Sequence, residues 1–394
     1  MEKQRILILD GDSRQCLPFV RALRRKGNHI TLVCPWKCCP GYFSRYPNGK
    51  IIWPDINHNE NGFYKLLLEY LKDGNADIVL ALGDATAILV SKHRDEILKY
   101  VRTPVPNYDV LRYGADKSLT MTFCMQNNIP CPKTLDPEKI SLDIIIKELE
   151  FPVIVKPVRG IGAVGLHKFE NPESLLNNLD KLTAKYGKMQ IQEYIPQTEI
   201  QFQAEAFCDE NSVMKVCMVI AKPRFFPVTG GTSTCNYTVD RPDIKTSVKK
   251  LLEGIKWIGS ADVDLILDPR DNTAKILEIN PRVTAGIKIG FDAGIDYADL
   301  QIKLALGMEI PEVKDYELNV VLRNLCLDIL WYKYSTKGNR KQSFPNWWDF
   351  FGKQVHYQTL RWDDPLPFAG FVLSNLKKFN NADVWKSKLG QDIK

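Results

Sequence analysis

Two different sheet patterns occupy one chain, and that contrast limits the folds open to it. Through residue 105 short apolar strands alternate with helices: strands over 5–10, 29–34, 51–53, 77–82 and 103–105, with helices up to Lys26, near 62–71 and over 85–100. Such alternation predicts a parallel sheet with helices on its faces and ligands beyond the strand C-termini. Gly11-Asp12-Ser13 and Gly83-Asp84-Ala85 fall at that edge. No G-x-G-x-x-G follows the first strand, which argues against a nicotinamide site. Near residues 104–113 the pattern changes. A helix over 115–127 opens with Asp116-Lys117, and a short strand over 131–134 precedes a helix over 137–149. A strand ending at Lys156 then enters a loop carrying Gly160, Gly162 and Gly165. After a strand at 164–169, a helix at 171–186 and a strand at 189–194, alternating apolar residues over 199–224 predict a long hairpin turning at 209–212. A polar loop at 229–234, a helix over 242–257 and a second hairpin over 261–282 follow, then helices near 283–293 and 296–306.

At 394 residues the chain is long enough for roughly two to three domains. Its start, MEKQRILILDGDSRQ, lacks the long apolar core of a signal peptide, and no run approaches the roughly 18 apolar residues of a membrane span; the most apolar stretch, 78–90, contains Asp84. Ten cysteines without a regular framework point to a reducing compartment, and a cytoplasmic location is expected. Cys34, Cys38 and Cys39 cluster without the second pair or nearby histidine that a zinc site needs. The net charge of +6 resides in residues 331–394, which hold 11 Lys/Arg against 5 Asp/Glu and five of the eight tryptophans.

The hairpin over 261–282 carries three oxygen-bearing side chains. If Asp268 pairs with Ala274, the antiparallel register sets Asp264 opposite Glu278, and Glu278 shares a strand face with Asn280. Two carboxylates and an amide oxygen suit a hard cation, Mg²⁺ or Mn²⁺, that completes its shell with water and phosphate. The competing reading is an edge hairpin with solvated acids. The glycine loop after Lys156 supplies the matching phosphate site, since glycines let backbone N–H groups approach an anion and an ammonium adds a point charge. It is not a Walker loop, and by itself it reads more readily as a structural hairpin turn.

In order and spacing, Lys117, Lys156-Pro157 before the glycine loop, Gln192-Glu193-Tyr194-Ile195, and Asp264 followed by Glu278-Ile279-Asn280-Pro281-Arg282 resemble an ATP-grasp ligase. The segment LDGDSRQCLPFVRALRRKG resembles the pre-ATP-grasp domain of carbamoyl-phosphate-synthase-like carboxylate–amine ligases. The resemblance implies an α/β chain of ATP-grasp fold: a parallel pre-ATP-grasp domain over 1–113, a small lobe over 114–196 with the glycine loop, a large lobe over 197–310 with the metal site, and a C-terminal extension over 311–394. It further implies that Lys117 and Lys156 contact ATP phosphates under the loop of Gly160, Gly162 and Gly165. Gln192, Glu193 and Ile195 would line the adenine pocket, with the inward-facing member of Gln192 and Glu193 left open. Glu199 would meet the ribose, Asp264, Glu278 and Asn280 would hold Mg²⁺, and Arg282 would face an acyl phosphate. The activity so implied joins a small-molecule carboxylate, such as an amino acid or sugar acid, to an amine. Carboxylate phosphorylation without ligation and a non-catalytic nucleotide-binding module stand as alternatives.

Other residues have bland readings beside the functional ones. His167 reads as a strand surface residue, and Asp12 and Ser13 as a helix cap rather than a substrate contact. Arg224 and the 229–234 loop divide evenly between a substrate-side loop and a structural one. For the basic, aromatic C-terminal segment, packing over the core is favoured over binding an acidic or glycan-like substrate and over membrane-surface contact, and no nucleic-acid reading motif accompanies its charge. A homodimer stays open.

Overall fold

A computed structural model describes residues 2–160, 164–196, 200–228, 231–342 and 344–379. The first sheet holds β1 (Arg5–Ile8), β2 (His29–Cys34), β3 (Gly49–Ile52) and β4 (Ile78–Leu80), all parallel in the order β3-β2-β1-β4. Helices cover both faces, so β1 is apolar at consecutive positions: Leu7 and Leu9 join one core and Ile6 and Ile8 another. The core of Ile6 and Ile8 also takes in Met218, Ile220, Tyr297 and Leu322, which welds this domain to the sheet described last.

The second sheet comprises β5 (Thr134–Leu135), β6 (Val153–Pro157), β7 (His167–Phe169) and β8 (Met189–Glu193), antiparallel in the order β5-β8-β6-β7. Helices Leu142–Glu148 and Pro172–Tyr186 bury Val153, Val155, Met189 and Ile191 on one side. By strand alternation Ile154, Lys156, Gln190 and Gln192 point the other way, into the cleft.

The third sheet holds seven strands: β9 (Gln201–Cys208), β10 (Met214–Phe226), β11 (Thr232–Val239), β12 (Gly259–Asp268), β13 (Thr273–Asn280), β14 (Val321–Arg323) and β15 (Val355–Tyr357), in the order β13-β12-β9-β10-β11-β14-β15. Helix Pro242–Gly254 packs Ile244, Val248 and Leu251 against one face. The strand β11 replaces much of the polar loop expected over 229–234; Thr229 and Gly230 lie outside the described residues, but alternating Thr, Cys and Tyr continue the sheet from Thr232.

Residues 311–379 carry β14 and β15 into this sheet and are pinned by buried ion pairs. Asp328 accepts from Arg323 Nη2 at 2.6 Å and Arg224 Nη1 at 3.2 Å, and Asp364 from Arg21 Nη2 at 2.9 Å and Ser44 Oγ at 2.8 Å. Trp331 lies beneath Arg224 and Trp347 stacks on Tyr332, whereas Trp362 is 99% exposed. Trp385 lies outside the described residues. Among the described residues no helix is long and apolar enough to cross a membrane.

Candidate active site

The site grows from β12 and β13. Asp268 pairs with Thr273, not with Ala274 as the sequence suggests, yet Asp264 still faces Glu278 and Asp262 faces Asn280. A β-bulge between the Asp264–Glu278 and Leu265–Ile276 pairs, with Leu277 as the extra residue, restores the register. Asp262, Asp264, Glu278 and Asn280 therefore share one face of the hairpin.

Each member of that face has a partner. Asn280 Nδ2 donates to Asp262 Oδ1 at 2.7 Å and to Asp264 Oδ2 at 3.2 Å, which leaves the amide oxygen of Asn280 as the acceptor beside two carboxylates. Lys222, on β10, bonds Asp264. Lys117 Nζ lies 3.0 Å from Glu278 and donates to Gly160 O at 2.7 Å. Lys117 opens the helix Lys117–Gln126, capped by Asp116, and its backbone N–H reaches Val158 O at 2.9 Å, so one residue ties the glycine loop's entry to the acidic hairpin.

Behind this row sits an acid pair that spacing alone did not single out. Asp262 is fully buried and Glu205 is 1% exposed. Gln203 Nε2 donates to Glu205 Oε1 at 2.8 Å and bonds Asp262, and Thr284 Oγ1 donates to Glu205 Oε1 at 2.7 Å. Burial pushes Glu205 up to about 7 against the hydrogen bonds that favour its charge, and burial, with Glu205 and Asp264 repelling its charge, raises Asp262 well above the ordinary carboxylate range. The signal was present in the strand IQFQAEAF, where Gln201, Gln203 and Glu205 alternate with apolar residues.

Arg282 leaves the hairpin toward the parallel domain, where its Nε donates to Asp84 Oδ2 at 2.8 Å at the start of helix Asp84–Lys92. Burial lowers its pKa, but Asp84, Asp262 and Asp264 together raise it more, and the net shift is upward. The nearby Asp12-Ser13 turn does not cap a helix: Ser13 Oγ donates to Asp10 O at 2.7 Å, and helix Cys16–Arg25 starts after Gln15 without a side-chain cap.

On the small-lobe side Lys156 is 8% exposed. Burial brings it down to about 8, with Glu278 opposing and Lys117 reinforcing that shift. Gly165 adopts φ +77°, and a Cβ there would meet Pro157 Cγ at 2.8 Å, so this end of the loop requires glycine. Gly162 and Glu199 lie outside the described residues. Gln192 and Glu193 face opposite sides of β8. Gln192 is buried on the cleft side, its Nε2 donating to Thr134 Oγ1 at 2.6 Å, whereas Glu193 Oε1 lies 3.2 Å from Lys275 Nζ. Ile195 is buried just beyond. His167 packs beside Phe169 and Tyr186 on the helix side of the small lobe, away from the cleft.

The donor chemistry fits a divalent cation and a polyphosphate. Asp264 and Glu278 are hard-oxygen carboxylates, each already holding an ammonium where positive charge is favoured. Lys156 is a buried ammonium with no hydrogen-bonded carboxylate among the described residues, the state that an anion would relieve. Among the described residues no three His, Cys, Asp or Glu side chains form a metal cage, so a cation here would share its shell with Asn280 and a ligand.

Known proteins share the fold that carries this site. Residues 114–286 match the ATP-grasp domain family. D-aspartate ligase of Enterococcus faecium (strain Aus0004) is 28% identical over 268 residues, 62% of this chain and 62% of that protein. Carbamoyl phosphate synthase large chain of Thermoanaerobacter sp. (strain X514) is 22% identical over 66% of this chain and 26% of that protein, so the chain spans less than two thirds of either relative. Among solved structures, the biotin carboxylase domain of Hydrogenobacter thermophilus 2-oxoglutarate carboxylase, in complex with MgADP, ADP and bicarbonate, aligns with a TM-score of 0.68 at 14% identity, covering 82% of this chain and 74% of that one. L-amino acid ligase from Bacillus licheniformis aligns at 0.59 and 16% identity, covering 78% and 75%. These likenesses establish the shared fold. Residues 114–286 match the ATP-grasp domain family, within a chain that has the ATP-grasp fold.

Proposed function

We propose that this protein is an ATP- and Mg²⁺-dependent ligase that activates a carboxylate as an acyl phosphate and passes the acyl group to an amine. The observation that carries the reading is the meeting of Lys117, Glu278 and Gly160 within hydrogen-bonding distance, with Asp264, Asn280 and the buried Lys156 around them. A carboxylate is a poor electrophile until phosphorylated, and γ-phosphoryl transfer depends on positioning and on neutralising spread negative charge. Lys117 and Lys156 supply fixed positive charge to the polyphosphate. Asp264, Glu278 and Asn280 Oδ1 would hold Mg²⁺, which when bound adds positive charge at the transferring group. Arg282, anchored by Asp84, stands between the nucleotide side and the parallel domain and orients the acyl phosphate. The glycine loop excludes water that would otherwise hydrolyse that intermediate.

The D-aspartate ligase relative makes an amino-acid carboxylate the first substrate to try. The test is ADP and phosphate release with Mg·ATP, D-aspartate and other amino acids, and a panel of amines. Release should require both substrates, and Lys156→Ala and Glu278→Gln should each lower turnover by about 10²-fold or more. Normal turnover in both variants would overturn the reading, and a stable acyl phosphate product without an amide would replace ligation by phosphorylation.

A further inference from the structure

Gln190 is 1% exposed, and neither Nε2 nor Oε1 has a hydrogen-bond partner among the described residues. It pairs with Lys156 across β6 and β8, so the two side chains stand side by side on the cleft face. Leaving both a donor and an acceptor of one amide buried and unpaired is costly, and a native structure keeps such a group for a reason. The side chains named from the sequence for adenine are committed elsewhere: Gln192 donates to Thr134, and Glu193 turns to Lys275 on the large lobe.

We infer that Gln190 reads the N6/N7 edge of the adenine base, a specificity contact that rests on the ATP-binding reading above. Phosphate oxygens only accept hydrogen bonds, so a phosphate contact would satisfy Nε2 and leave Oε1 orphaned. Adenine presents an acceptor, N7, next to a donor, the N6 amino group, and a glutamine amide meets both at once. Guanine presents N7 and O6 at that edge, two acceptors, and Oε1 would face an oxygen. Of the purine's edges, the one bearing N7 lies toward the ribose and phosphates, which agrees with Gln190 standing beside Lys156 rather than at the far end of β8.

The decisive experiment measures equilibrium binding of Mg·ATP, Mg·GTP and Mg·7-deaza-ATP by calorimetry, without co-substrates, to the wild-type protein and to Gln190→Met. The wild type should bind ATP about tenfold or more tighter than 7-deaza-ATP and GTP. Gln190→Met, close in volume, should bind ATP about tenfold or more weaker than the wild type and should lose the preference between ATP and 7-deaza-ATP, so that the two nucleotides become equal. The wild-type comparison with 7-deaza-ATP needs no variant and stands if Gln190→Met fails to fold. Equal wild-type affinity for ATP and 7-deaza-ATP would overturn the inference while leaving the ATP reading intact. So would a variant that weakens all three nucleotides alike, the mark of a phosphate contact. Wild-type protein that binds none of the three would overturn the ATP reading itself, and this contact with it.

Discussion

The two walls of the cleft treat their polar groups in opposite ways. On the large lobe each acid is matched from within the chain: Asp264 by Lys222 and Asn280, Asp262 by Asn280 and Gln203, and Glu205 by Gln203 and Thr284. On the small lobe Lys156 and Gln190 are just as buried, but no carboxylate bonds the first and no partner meets the second among the described residues. A wall that satisfies itself is formed before any ligand arrives and contributes stability; a wall that does not gives up stability to be completed by a ligand. On the proposed reading, nucleotide affinity lies mainly on the small lobe and cation positioning on the large one.

The segment 311–379 satisfies its acids in the same way where it extends the large-lobe sheet, and removing one of them should damage the fold more than anything done to the small-lobe wall. Asp328 is fully buried and holds Arg323, Arg224 and Thr234 across β14, β10 and β11. Asp328→Ala leaves two buried guanidinium groups uncompensated, and denaturant unfolding should show a loss of about 3–5 kcal/mol. A loss under about 1 kcal/mol, the usual value of a surface pair, would remove the basis for calling that lobe self-satisfied.

The small lobe should respond with the opposite sign. Lys156→Met deletes a buried charge without orphaning a carboxylate, and the displacement of its pKa to about 8 corresponds to a gain of roughly 3 kcal/mol at most at neutral pH. Unfolding should show a more stable protein that no longer binds Mg·ATP. A destabilised variant would mean that Lys156 is part of the fold's own support.

How much of this contrast was legible in the chain depended on distance along it. The hairpin's acids were readable because both strands lie within one short segment, although the pairing assumed near the turn was off by one residue and the bulge at Leu277 corrected it. Backbone registers that slip and recover leave no mark in side-chain alternation. Asp262, an acid two residues before Asp264, looks like more of the same solvated face, because its partner Gln203, itself bonded to Thr284, stands 59 residues earlier. Gln190 and Gln192 alternate alike on β8, and what tells them apart is Thr134, on a different strand, which takes the Nε2 of Gln192 alone. The same distance hides the fate of Asp363-Asp364: Arg21 and Ser44, more than 300 residues earlier, bury Asp364, while its neighbour Asp363 meets Arg25 nearer the surface.

A smaller effect separates the walls by cation. Lys222 competes with a divalent ion for Asp264. Lys222→Met should raise Mg²⁺ affinity in the absence of nucleotide by about tenfold, since one opposing ammonium is gone, while some stability is lost because Asp264 is left without its counter-ion. Titration of Mg²⁺ against the wild type and this variant gives the comparison. Weaker Mg²⁺ binding in the variant would show that Lys222 orients Asp264 for the cation instead of occupying its place.

The mildest expectation concerns pH and belongs to the small lobe alone. Lys156 has a folded pKa of about 8, below the ordinary 10.5, so between those values the unfolded chain holds the proton and the folded protein does not. The penalty for burying its charge is fully present below pH 8 and is relieved as pH rises toward 10.5, which makes this group's contribution to stability increase with pH across that window. Nucleotide affinity should move the other way, because the phosphates need the ammonium. Mg·ATP affinity should be flat up to about pH 8 and then fall, approaching tenfold per unit, until the pKa of the complex is reached. Lys156→Arg, charged at every pH in this range, should bind without that fall. An identical decline in the Arg variant would trace the pH dependence to another group and leave Lys156 without a role in it.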